Sequence, residues 1–243
     1  MKAGHHPPNA LLLLPAGALH RVRLLAFLGL ALGLGAAAAA GLPAVVVWDF
    51  DNQSPAAAPG DRSDFLRRSL SENLTVALLQ VPGLPVVERQ RLKDLLAEQK
   101  VAASELADED ARLRLGRIVG AARMVFGGYI VLGDEVQVHV RLIDTATSRV
   151  LFADEASGSV ATVMQDIEPL NRHLAQALGG VAPGAPRRFA PATWQAYDRA
   201  LALADAGRLD AAVQALQDLL AQDKDFAPAE RQLVALLDRM ARR

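Results

Sequence analysis

Apolar positions along residues 44–178 switch between consecutive, alternating and helical spacing, and each switch marks an element. Val86-Val87 run straight into a charged segment in which Leu92, Leu95 and Leu96 share one helical face. Arg89, Arg91, Lys93, Asp94 and Glu98 take the other. A short strand, entered through Pro82, Gly83 and Pro85, followed at once by a helix over 88–99 is therefore expected. Upstream, Ala44 to Phe50 reads as a continuous buried strand. Asp61 to Gln80 reads as an amphipathic helix with Leu66, Leu70, Leu74 and Leu78 inward, capped by Asp61 or Ser63 and stopped by Pro82-Gly83.

Downstream, Asp108 to Val119 forms a second capped helix with Ala111, Leu115, Ile118 and Val119 inward and Gly120 closing it. Met124–Leu132 and Glu135–Ile143 flank Gly133-Asp134 as a hairpin. In its second strand Val136, Val138, Val140 and Leu142 alternate with Gln137, His139 and Arg141, so one face is wet. Val150 to Ala153 adds a third antiparallel strand. Val160 to Leu178 is helical, with Pro169 either kinking it or opening a second segment. The fold class is thus α/β: a mixed, largely antiparallel sheet flanked by helices.

Gly179 to Pro191 is rich in Pro and Gly and reads as a linker. Almost everything beyond it has helical spacing: Thr193–Ala206 and Leu209–Gln222 pair around Gly207, and a third helix runs from Pro228. Ala196, Ala200, Leu203, Gly207, Ala212 and Leu216 resemble a tetratricopeptide repeat, with Ala196 in place of its Trp and Lys224 in place of its late Pro. One reading makes this tail a separable partner-binding unit. The other makes it a helical hairpin packed on the preceding domain.

The front end has a different character. Basic Arg21 and Arg23 precede the apolar run Leu24–Gly35, and Ala36–Ala40 supplies small residues, the layout of a secretory signal peptide over 1–40. The alternative is an uncleaved anchor, since Leu24 to Trp48 is long enough to span a bilayer. Either way the protein is expected to be exported, to the periplasm or anchored by its own leader. The domain layout is then 1–40 signal peptide, 42–180 α/β domain, 181–191 linker and 192–243 helical tail.

The chain of 243 residues is 51% hydrophobic and 22% charged, with a net charge of −1 that gives no reason to expect nucleic acid. Lys2, Arg21 and Arg23 precede residue 41 and no acid does; without them 23 basic residues face 27 acidic ones, a net −4. There is no cysteine, which excludes disulfides, thiolate metal sites and a lipidated N-terminal Cys.

Val86-Val87-Glu88-Arg89 with Leu92-x-x-Leu95-Leu96-x-Glu98-Gln99 resembles the bacterial envelope family that contains the curli-secretion protein CsgG. Its relatives include LpoB, FlgO and TolB N-terminal-like domains. Val45 to Asn52 resembles the family's opening strand, Leu115–Ala121 with Val125–Gly128 its helix-to-hairpin passage, and Val136–Thr147 its second hairpin strand. The likeness covers about Leu42 to Gly180. It implies a non-catalytic cell-envelope interaction or assembly protein whose partners are envelope proteins, among them outer-membrane or cell-surface assembly components, with self-association open. It stops short of a pore: Leu132-Gly133-Asp134-Glu135 is a tight turn, whereas lipid-facing strands are long and alternating.

The competing reading is enzymatic. Four apolar residues followed by Asp49-Phe50-Asp51 mimic the opening motif of magnesium-dependent haloacid-dehalogenase-like phosphatases, with Asp49 as nucleophile and Asp51 as general acid. Gln53 stands where that motif has Thr, Asp154-Glu155 offers only a poor second acidic pair, and a hairpin meander replaces repeated βαβ units. Gly127-Gly128 lacks the Lys-Ser/Thr of a phosphate loop, and His139 and His173 are isolated. Arg67-Arg68 and Arg187-Arg188 read as pairs that keep surfaces wet. No catalytic, cofactor-binding or metal-ligating residue is assigned.

Overall fold

Three short strands, β1 (Val45–Val47), β2 (Asp51–Asn52) and β3 (Val86–Val87), precede an antiparallel meander of three long ones, β4 (Arg123–Leu132), β5 (Glu135–Asp144) and β6 (Val150–Ser159). The computed structural model describes residues 42–55, 63–87, 91, 92, 94, 108–181 and 187–242. β4 and β5 pair from Arg123↔Asp144 to Leu132↔Glu135, leaving a two-residue turn. Gly133 begins it at φ +66°, as a hairpin turn with glycine in first place requires.

β6 corrects the expected Val150–Ala153. It continues to Ser159, pairing Glu135 with Ser159. Asp154 to Ser159 carries no apolar alternation, so the β5 main chain, not side-chain burial, holds it in the ladder. On the other side of β4 the pairing is parallel, giving the order β3-β1-β4-β5-β6 with β2 also beside β4. The expected continuous strand Ala44–Phe50 is broken. At Phe50 the N–H turns to the carbonyl of Arg67 (3.0 Å), and pairing resumes at Asp51↔Gly128. The break lets the Phe50 ring lie over Gly127, where a Cβ would overlap the ring.

One sheet face is covered by α1 (Leu66–Leu79), α2 being the helix Glu109–Ile118 on the opposite face. Leu66, Leu70, Leu74 and Leu78 are each at most 1% exposed, as the i+4 spacing requires. The start differs from expectation: Phe65 occupies the cap position with no side-chain cap bond, and the Ser63 carbonyl accepts from the Leu66 N–H (2.9 Å). Asp61 lies outside the described residues, as does most of the expected helix 88–99, of which Arg91, Leu92 and Asp94 are helical.

α2 begins as expected, with the Asp108 carboxylate accepting from the Asp110 N–H (3.2 Å). Gly120 ends it at φ +78°. Its inward face is corrected: Arg112, Leu113, Leu115 and Gly116 are buried, while Ile118 is 58% exposed. The segment after the sheet divides into α3 (Val163–Asp166) and α4 (Glu168–Ala177), with Pro169 in the first turn of α4. There its missing N–H costs nothing.

The tail forms α5 (Pro191–Asp205), α6 (Leu209–Gln222) and α7 (Ala227–Ala241). Ala200 and Ala212 are fully buried where helices meet, and Gly207 turns the chain at φ +76°. Trp194 and Phe189 each meet Phe226 edge-on at 4.8 Å. These helices share one apolar core with the sheet, α1, α3 and α4. Arg68 on α1 reaches Asp198 (2.6 Å) and Asp205 (3.2 Å) on α5, and Glu72 pairs with Arg231 of α7. Arg67 donates to the Phe50 carbonyl (3.4 Å). The reading of Arg67-Arg68 as surface wetting is thus corrected.

Two expected outcomes follow from this packing. Gly127→Ala forces Phe50 to move and should cost roughly 1–3 kcal/mol, read by denaturant unfolding. A chain of residues 42–180 loses the helices that cover part of α1 and should melt at lower temperature, and less cooperatively, than 42–243; equal melting would show that the tail contributes nothing to the core.

Candidate functional site

β1 and its continuation deliver two carboxylates to the C-terminal edge of the parallel part of the sheet. Asp49 accepts from the Ser71 hydroxyl of α1 at 3.4 Å. Asp51 sits on β2 and pairs with Arg112 of α2 at 3.1 Å. That arginine is 7% exposed, and its guanidinium lies 5.0 Å from the Phe126 ring and 6.0 Å from Trp48. Its Nε has no hydrogen-bond partner among the described residues. A buried cation stacked on two aromatic rings against a half-exposed carboxylate ties α2 to the strand end. The chain pattern hid this arginine, because α2's apolar spacing alone points inward through Leu115.

Cross-strand register places Asp51, Gly128, His139 and Glu155 in one row over β2, β4, β5 and β6. Gly128 has no side chain, and the His139 ring fills the space: a Cβ there would lie 2.6 Å from the ring. Burial lowers the His139 pKa most, the nearby Arg141 guanidinium lowers it further, and Asp51 and Glu155 oppose both. Gly127-Gly128 is therefore a pair of packing vacancies within β4, one per face, and not a phosphate loop.

The phosphatase arrangement is not assembled. Glu155 is three strand steps from Asp51, about 14 Å at ~4.8 Å per step, far beyond a shared cation. Asp154, one residue along, points to the opposite face and bonds His173 (2.8 Å). Among the described residues no cluster of three or more His, Asp or Glu side chains could hold a metal. The β4–β5 and β5–β6 connections are short, as the sequence suggested.

Residues 33–133 match the model of a family described as curli production assembly/transport component CsgG. This region is CsgG-like. The match ends at the β4–β5 turn, short of the Leu42–Gly180 span of the resemblance, and its description is of an assembly or transport component. Solved structures similar to this chain share little sequence with it. The LpoB C-terminal domain from Salmonella enterica is 14% identical, covering 53% of this chain and 91% of its own, with a TM-score of 0.41. Lipoprotein GNA1162 from Neisseria meningitidis is 18% identical, covering 48% and 80%, TM-score 0.37. A PelC dodecamer from Paraburkholderia phytofirmans is 13% identical, covering 61% and 90%, TM-score 0.34. No curated protein matches the chain.

The His139 environment implies a pH dependence of stability in the sheet. Its folded pKa lies below the ordinary imidazole value near 6.5, so folding favours the neutral ring. That contribution is complete above the unfolded value and is lost as pH falls through the lowered folded one. Melting temperature should drop between about pH 7 and pH 5, and His139→Gln should flatten that slope; an unchanged slope assigns the effect to other groups.

Proposed function

We propose that this chain is a non-catalytic, exported cell-envelope interaction or assembly factor. The match of residues 33–133 to a family of assembly and transport components carries the reading. The strand-end acids support it, because Asp51 pairs with Arg112 and Asp49 is bonded to α1, both structural uses. In this reading 1–40 is a signal peptide, 42–180 the α/β unit, 181–191 the connection, and 192–243 a tetratricopeptide-like tail. The tail contributes partner contacts through the outward side of α7, where Val234 and Leu237 are 56% and 46% exposed. No helix among the described residues is long and apolar enough to cross a membrane.

Crosslinked pull-down from envelope fractions with the mature chain as bait should recover envelope proteins, and recovery of cytoplasmic proteins alone sinks the reading. N-terminal sequencing from the native host should begin between residues 37 and 43; an intact leader on membrane-bound protein overturns cleavage. Replacing Asp49 and Asp51 by Asn should leave the in-cell phenotype intact. Magnesium-dependent phosphatase activity abolished by Asp49→Asn would falsify the non-catalytic role.

A further inference from the structure

Away from the strand-end acids, a cavity of about 80 Å³ lies where α1, α3, the start of α4 and the segment entering α5 meet. A water needs roughly 10–15 Å³ on this measure, so the space holds a group of several heavy atoms. Its apolar wall is Met164, Phe189 and Trp194. The wall is rigid, since Trp194 is 4% exposed and both aromatic rings are braced by Phe226.

The polar lining divides into groups already used and groups left over. Asn73 donates to the Met164 carbonyl (3.3 Å) and accepts from Asn171 (2.8 Å). Glu168 is neutralised by Arg172 at 2.9 Å, so it does not repel an anion. Arg187 is ion-paired with Asp225 and lies 5.8 Å from the Phe189 ring. What remains are the side chains of Gln165 and Arg188, neither with a hydrogen bond or ion pair among the described residues. The Arg188 guanidinium supplies only donors and the Gln165 amide adds two more. One unpaired positive charge beside an apolar wall favours a singly charged anion over a cation.

We propose that this cavity binds a carboxylate carried on a short apolar group. Arg188 and Gln165 take the carboxylate oxygens, and Met164, Phe189 and Trp194 take the apolar part. Two sources carry this chemistry, a polypeptide C-terminus and a free small acid. Occupancy of the cavity does not depend on the envelope role, so either can fail alone.

The test uses the whole mature chain, whose two tryptophans give two indole N–H signals in NMR spectra. Trp194 reports the cavity; Trp48, under α2 on the other sheet face, is the internal control. The probes are N-acetylalanine, an acetylated alanine tripeptide with a free carboxylate, the same tripeptide as C-terminal amide, and inorganic phosphate. Both acids should move the Trp194 signal saturably while Trp48 stays still. Tighter binding of the tripeptide assigns the polypeptide terminus, and equal binding the small acid. Arg188→Gln removes an exposed charge that has no partner among the described residues and should weaken the acids about ten- to hundredfold. No movement at Trp194, an equal response to the amide or to phosphate, or an unchanged affinity in Arg188→Gln overturns the proposal.

Discussion

The structure depends on α1 being apolar on one side and ionic on another. Leu66, Leu70, Leu74 and Leu78 seal the sheet, and at most 1% of each remains exposed. Fully burying a leucine contributes about 1.5–3 kcal/mol, so the four together contribute about as much as the net stability of a typical domain. From the same helix Arg68 and Glu72 reach α5 and α7. One helix thus joins the sheet's cover to the tail. Both the end of the parallel strands, through Asp49 and Ser71, and the cavity, through Asn73, are also fastened to it.

The two glycines of β4 make a second constraint, at the scale of single atoms. Phe50 occupies the space over Gly127 on the core face, and His139 the space over Gly128 on the other. A side chain at either position would displace a ring from the sheet. The first vacancy allows the strand break at Trp48–Phe50. The second brings an imidazole into the row with Asp51 and Glu155, where desolvation keeps it neutral more readily than in water.

The resemblance of Asp49-Phe50-Asp51 to a catalytic motif and the separation of the acids have one cause. Four apolar residues and an Asp-x-Asp give the same local chemistry in many contexts, but a metal site needs acids from separate strand ends to converge. Here the strands beyond β4 are antiparallel, so Asp154 and Glu155 lie mid-strand and on opposite faces. Topology, not residue type, keeps these acids apart from Asp49 and Asp51, and Asp51 pairs with Arg112.

Local patterns determined most of the elements. The i+4 leucines of α1, the alternation of β5 and the Gly133-Asp134 turn were readable because each reports a period of the backbone itself. The resemblance around Val86–Gln99 and Val45–Asn52 was likewise local, and the family match includes both stretches. Where the chain carries no period, the fold alone decided. Asp154–Ser159 became strand because β5 offered a ladder, and α2 turned Arg112 inward because Trp48 and Phe126 could stack on it. The pairing of Arg68 with Asp198 crosses 130 residues of sequence. A charge whose partner lies that far along the chain looks the same in sequence as one left in water, so only the tertiary structure separates Arg68, which is bound, from Arg188, which has no ion-pair partner among the described residues.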